Sequence, residues 1–256
     1  MMRKLLLIAV VGAVTGGLAV DAIFARAQTG TTSNALLVEL FTSEGCSSCP
    51  PADSLLKQMD GRLSSGGQTI IALSEHVTYW NHDGWVDPFS QQVFTDRQSN
   101  YKERFQIDDV YTPQMVINGE SQVSGGNAQA ILKALAAETA APMASVKIVS
   151  VTAEGKNLKV AFAVSGELPR QGADIVAAVA ENQVTSDVSR GENGGRTLTH
   201  VSVVRTLTKV ATLKGAATMT VKVPLGSGPE AVPRHLVVFV QTVGLGKVLS
   251  VTAAPL

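Results

Sequence analysis

The chain has 256 residues, 45% of them hydrophobic, and balances 21 basic against 21 acidic side chains. That is more chain than one small domain needs and enough apolar residue for real cores, which excludes a disordered polymer. With a formal charge of zero and no basic stripe, nucleic acid is not an expected partner.

In chain order, Arg3-Lys4 give a positive start, Leu5–Val20 is an uncharged and largely apolar run, and Ala25-Arg26-Ala27 has the small-x-small form of a cleavage site before Gln28. Residues 1–27 therefore read as a secretory signal peptide, with membrane contact only transiently during export. An uncleaved anchor is the alternative, but sixteen residues fall short of the roughly 20 that span a bilayer. Loss of Arg3, Lys4, Arg26 and Asp21 with that segment takes the 21 basic and 21 acidic residues to 18 and 20. The mature chain is expected to be periplasmic or secreted, where disulfides persist.

Residues 28–34 are a small polar tail. Ala35–Phe41 (ALLVELF) reads as a buried strand, and a helix should begin near Pro50, since proline is tolerated only in a first turn. Thr69–Leu73 is a second strand. Asn81–Asp87 is loop-like, and Asp87-Pro88 with Phe89, Val93, Tyr101 and Phe105 predicts a helix over 88–105. Gln114–Gly119 (QMVING) is a short strand ending in a turn, and Ala128–Glu138 is helical. The order β-α-β-α-β-turn-α implies a sheet covered by helices over residues 35–142. After Met143, valine and threonine alternate in Ser145–Thr152, Asn157–Val164, Asp174–Ala180, Ala217–Val223 and Leu236–Val243. Residues 143–256 are expected to form an all-β, sandwich-like second domain of about seven strands.

The only two cysteines are Cys46 and Cys49. A bridge between them closes almost no loop and so adds little stability, which points to chemistry. A thiol at a helix start is stabilised as thiolate: a shift from about 8.5 to about 6.5 raises the thiolate at neutral pH from about 3% to roughly 75%, or about 2.7 kcal/mol. Cys46 would attack, and Cys49 would resolve the mixed disulfide. Such a role requires the Cys46 sulfur to be reachable.

Glu39 interrupts LLVELF, and a carboxylate in a buried strand needs a partner or a task. It would lie beneath the pair and exchange a proton with Cys49, or else face an edge or solvent. Thr112-Pro113 opens the QMVING strand; in a cis form, the Thr112 backbone would face the dithiol and pair with a substrate peptide. His76 is placed to carry protons or hold a metal at the same rim, or to be structural. Trp80 and Trp85 would shape a groove or make a small core of their own. Gly191–Arg196 (GENGGR) reads as an ordinary turn-rich loop, from which Arg196 or His200 would contact a partner.

Val38–Phe41 followed by Cys46-x-x-Cys49 resembles the active-site segment of thioredoxins, with Glu39 near the buried acid, one extra residue before the first cysteine, and Gly45 where that family has tryptophan. Thr112-Pro113 is placed like the cis-proline of that fold. VELFTSEGCSSCPPAD, HVTYWNHDGWVDPF, TDRQSNY, YTPQMVING and GENGGRTLTH resemble the motifs of an exported bacterial family, domain of unknown function 1223. The resemblance implies secretion and an α/β thioredoxin-like domain, here followed by the all-β sandwich-like one, but no reaction.

The expected function is an exported thiol–disulfide oxidoreductase acting on protein or peptide thiols, with a further redox partner and no cofactor beyond the dithiol. Two readings compete with it. One is a copper-type metal-handling module on Cys46, Cys49 and His76. The other is a non-catalytic binding protein whose disulfide only stiffens a loop.

Overall fold

The computed structural model describes residues 34–138 and 143–256. The signal segment expected at 1–27 lies outside the described residues. β1 (Ala35–Thr42) and β2 (Thr69–His76) pair in parallel, from Ala35 opposite Thr69 to Thr42 opposite His76. Between them the chain forms α1 (Pro50–Met59), which carries two prolines at the positions where the missing amide hydrogens cost nothing. α2 (Gln92–Phe105) follows β2. β3 (Gln114–Ile117) then lies antiparallel to β1, β4 (Ser121–Ser124) closes that edge, and α3 (Ala128–Ala137) packs behind it.

Residue parity along β1 decides what each side faces. Leu36, Val38 and Leu40 share a core with Ala52 and Leu56 of α1 and Ile131 and Leu135 of α3. Leu37 packs with Phe94 of α2, and Phe41 with Tyr101 of α2.

The second half of the chain extends the same sheet, and here the expected fold class is overturned. β5 (Ala144–Glu154), β6 (Asn157–Gly166) and β9 (Ala217–Pro224) form a separate three-stranded sheet. β7 (Ala173–Val188), β8 (Arg196–Leu213), β10 (Arg234–Thr242) and β11 (Val248–Pro255) do not join it; the large sheet runs β11-β10-β7-β8-β2-β1-β3-β4. The joint is a parallel pairing of β2 with β8, Ser74 opposite Val203. With eleven strands to three helices among the described residues, this is a mostly-β molecule around one mixed eight-stranded sheet. It is not an α/β thioredoxin-like unit followed by a sandwich. The physical reason is the edge of β2. A strand buried on both faces at a sheet edge leaves ladder groups unpaired, and β8 supplies the missing partner.

The three-stranded sheet is laid over the far half of the large one. Val146, Ile148, Val160 and Phe162 bury against Ile175, Val179, Leu236 and Val238. α2 begins four residues later than its sequence pattern suggests. The Asp87 carboxylate accepts from the Phe89 amide in a tight turn, and Gln91 is extended at φ −141°, so Pro88–Gln91 stay outside the helix.

Candidate functional site

Cys46 and Cys49 lie at the carboxyl ends of the parallel strands β1 and β2, where open sheets with helical crossovers place their binding crevices. They form a disulfide. The turn from β1 is tight: the Cys46 amide donates to Ser43 O, and the Cys49 amide donates to Cys46 O. Cys49 caps α1, its carbonyl accepting from the amides of Ala52 and Asp53. Ser48 Oγ stands 3.4 Å from Cys46 Sγ.

Thr112 and Pro113 come to the same place. Their peptide bond is cis. Trp80 Nε1 donates to Thr112 Oγ1 at 2.7 Å, and the Trp80 backbone covers Gly45 so closely that a Cβ there would meet Trp80 O at 2.6 Å. No residue but glycine fits before Cys46. On the other side, Gly125 fills the gap between Ala52 of α1 and Pro113. Trp85 also belongs to the rim, its Nε1 donating to Glu44 Oε2 at 3.0 Å.

Glu39 is elsewhere. By parity it sits on the α2 face of the sheet, opposite the face that carries α1, and it is locked there. Arg97 Nε donates to Glu39 Oε1 at 2.5 Å, and Tyr101 OH donates to Oε2 at 2.7 Å. Arg97 further donates to Gln241 Oε1, and Glu75 Oε1 lies 3.9 Å from its Nε. Burial, with the Glu39 charge nearby, holds the Glu75 carboxyl well above the usual range. Glu39 is therefore one arm of a buried ion network between the sheet and α2. It does not lie beneath the cysteine pair on the α1 face, where the expected proton exchange with Cys49 would place it.

The ionisable groups on the cysteine side are different ones. Glu44 precedes the cysteine pair and Asp53 follows it by one helical turn; both are buried. His200, on β8, stands between them. Its Nε2 is 3.6 Å from Glu44 Oε1, and its Nδ1 is 3.6 Å from Asp53 Oδ1. Burial alone would lower its pKa, but the two acids outweigh that and push it up to about 10, so it is an imidazolium at neutral pH. Its ring meets that of His76 edge-on at 4.7 Å. His76 Nδ1 binds Asp87 Oδ2 at 2.7 Å, and the same oxygen accepts from the Glu44 amide at 2.8 Å. Against the burial that raises it, the His76 ring and these amides draw the Asp87 carboxyl down to about 2.

His76 is thus in the floor of the site rather than at its rim. Among the described residues, no group of three or more His, Cys, Asp or Glu side chains is disposed to hold a metal ion, and Cys46 and Cys49 are bonded to each other.

The loop read as an ordinary turn proves to be a strap over the disulfide. It is the tip of the long β7–β8 hairpin. Asn193 Nδ2 donates to Glu44 O and to Cys46 O, both at 2.9 Å, and Glu192 Oε2 accepts the Ser47 amide at 3.0 Å. Arg196 Nη1 donates to Asn193 Oδ1 at 2.7 Å, which fixes the amide's orientation. Gly191 packs on Trp85. Under this cover Cys46, Cys49 and Asn193 are all 0% exposed. The Cys46 sulfur, which an exchange role requires to be reachable, is enclosed in this structure.

Residues 37–241 match the family described as protein of unknown function, DUF1223. The chain belongs to that family. Among solved structures, a crystal structure of a protein from Agrobacterium tumefaciens is 27% identical to this DUF1223 chain, covering 88% of it and 95% of that chain with a TM-score of 0.63. HBP35 of Porphyromonas gingivalis is 14% identical, with 89% of this chain and 76% of that chain covered and a TM-score of 0.66, a likeness of fold alone. No curated protein matches the DUF1223 chain.

Proposed function

We propose that the protein is an exported thiol–disulfide exchange protein acting on protein or peptide thiols, with a strap that must lift before Cys46 can be attacked. The observation that carries this reading is the placing of the chain's only cysteine pair. It is bonded across the start of α1, beside three buried ionisable groups, and covered by a loop held through side-chain contacts. Such a pair closes too short a loop to add much stability, whereas the helix start favours a thiolate once the bond is broken. Cys46 is the sulfur exchanged with a substrate, Cys49 resolves the mixed disulfide, and Thr112 with Pro113 borders the groove that a substrate peptide would occupy. The dithiol is the only cofactor needed. A second protein thiol or disulfide resets the pair, and residues 1–27 supply the export signal that takes the chain to the periplasm or beyond.

A second reading is favoured by the enclosure itself. A disulfide with both cysteines at 0% exposure is also what an inert clasp would look like.

Glutathione redox titration of the folded mature chain separates the two. Exchange predicts a reversible transition in the native state and a glutathione adduct on Cys46 in Cys49→Ala. A bond that opens only when the chain unfolds would establish the clasp.

A further inference from the structure

Resolution of a mixed disulfide on Cys46 needs the Cys49 thiol to lose its proton, and that thiol is buried. The acid expected for this task, Glu39, lies on the other face of the sheet in an ion pair. On the cysteine face, the Asp53 amide donates to Cys49 O at 3.1 Å, so the two residues stand four apart on one helix. Side chains in that register share a face, with Cβ atoms about 5–6 Å apart. Asp53 is 5% exposed, and among the described residues neither of its carboxylate oxygens has a hydrogen-bond partner. Its charged neighbour is His200, 1% exposed, whose ring nitrogens likewise lack hydrogen bonds among the described residues and stand 3.6 Å from Asp53 and Glu44. Buried polar groups are ordinarily paired, so an acid and a base held apart at 3.6 Å beside a disulfide call for a use.

We infer that Asp53 is the proton acceptor for Cys49, and that His200 is a positioning residue that holds the Asp53 carboxylate toward it. The inference rests on the exchange reading and assigns that site its base. In the step, the Cys49 S–H bond breaks and its proton passes to Asp53. The Cys49 sulfur then attacks Cys46 Sγ, the Cys46–Cys49 bond forms, and the bond from Cys46 to the substrate sulfur breaks. The electron pair leaves on the substrate thiolate, which ends as a thiol as Asp53 gives up the proton. The groups facing the pair are Glu44 from the turn before Cys46, His200 from β8, and, behind His200, His76 with Asp87.

The test uses the reduced full-length mature protein and an aromatic disulfide whose thiol is coloured, so that mixed-disulfide formation and resolution are read as separate phases. In Asp53→Asn, resolution should slow roughly a hundredfold at neutral pH and recover as the pH rises, while formation on Cys46 is unchanged. Asp53→Glu should restore part of the rate. His200→Gln, which leaves Asp53 in place without the imidazolium opposite it, should move the pH profile of resolution upward. A merely structural role would lower thermal stability in these variants without altering that profile. If Asp53→Asn does not fold, the Cys46→Ser protein answers the question by thiolate absorbance. There, changing His200 to Gln should shift the Cys49 titration by about one unit. Resolution in Asp53→Asn within about twofold of the parent at every pH overturns the inference and leaves exchange standing. Absence of any mixed disulfide on the parent's Cys46 removes the exchange reading, and this one with it.

Discussion

Asn193 shows how one side chain can govern access to another. Its amide nitrogen satisfies two buried carbonyls, those of Glu44 and Cys46, and Arg196 holds the amide the right way round. Asn193→Ala takes the donor from the buried Glu44 carbonyl and leaves Cys46 O with the Cys49 amide alone, under a strap whose remaining side-chain anchor is the exposed bond from Ser47 to Glu192. The expected cost is about 1–3 kcal/mol of stability, by urea unfolding. If the strap is the gate, dithiothreitol should also reduce the native disulfide about tenfold faster, since a 1.4 kcal/mol cheaper opening is a tenfold larger open population. An unchanged reduction rate in a destabilised variant would mean that access is not controlled there. At this scale the sequence was partly legible. The cysteine pair is plain from residue type and spacing, and the cis bond follows from the resemblance of Thr112-Pro113 to the thioredoxin proline rather than from its position alone. The face that Glu39 takes is not readable, because alternation puts Glu39 with Leu37 and Phe41 but does not say which face α1 covers. Asn193 carries no signal of its own, and His200, expected to contact a partner, gives no sign that it packs beside the cysteines, because both lie far along the chain in GENGGRTLTH.

The elements repeat this division between local and distant causes. β1, β2, α1, β3 and α3 lie where hydrophobic runs, prolines and turn residues place them, because their signals are local. β8, the longest strand among the described residues, carries no sequence signal of a strand: residues 200–206 are all buried, so the two-residue alternation that marks a half-exposed strand is missing. A strand covered on both faces is also what joins the halves. Val201 of β8 packs into the core under α1, and Val176, Val237 and Phe239 pack with Phe94 of α2. A fragment of residues 35–142, the unit that the sequence pattern marks off, would lose these contacts and expose the edge of β2. It should show a collapsed amide spectrum, rapid proteolysis and no cooperative melting. Dispersed amide signals and a sharp melt from that fragment would show that β8 is an addition rather than a requirement.

For the molecule as a whole, three buried ionisable groups set how stability follows pH. Asp87 titrates at about 2 in the folded chain against an ordinary 3.8, so its contribution is complete above pH 3.8 and is lost as the pH falls through 2. His200 works in the opposite sense. Its folded value of about 10 lies above the ordinary 6.5, so the stability it brings is complete below pH 6.5 and is lost as the pH rises through 10. Glu75 is an acid held above its ordinary 4.5 by burial, so unfolding lets it ionise, and it too favours unfolding as the pH climbs above 4.5. The combined profile should peak on the acid side, near pH 4.5, and fall through neutrality into alkali. Each proton released on unfolding contributes a slope of about 1.4 kcal/mol per pH unit. Two variants take the slopes apart. Glu75→Gln mimics the neutral acid and should be more stable than the parent at pH 7 by roughly 1–2 kcal/mol, with the gain vanishing at pH 4. His200→Gln should be less stable at pH 6, where the imidazolium is at full value, and should have a flatter profile from pH 6.5 to 10. Urea unfolding across that range provides the check, and a parent profile that is level from pH 5 to 9 would contradict the charge states assigned to both groups. Because His200 bridges β8 to the turn before Cys46 and to α1, its deprotonation should loosen strap and sheet together. Alkaline destabilisation and faster reduction of the disulfide would then begin at the same pH.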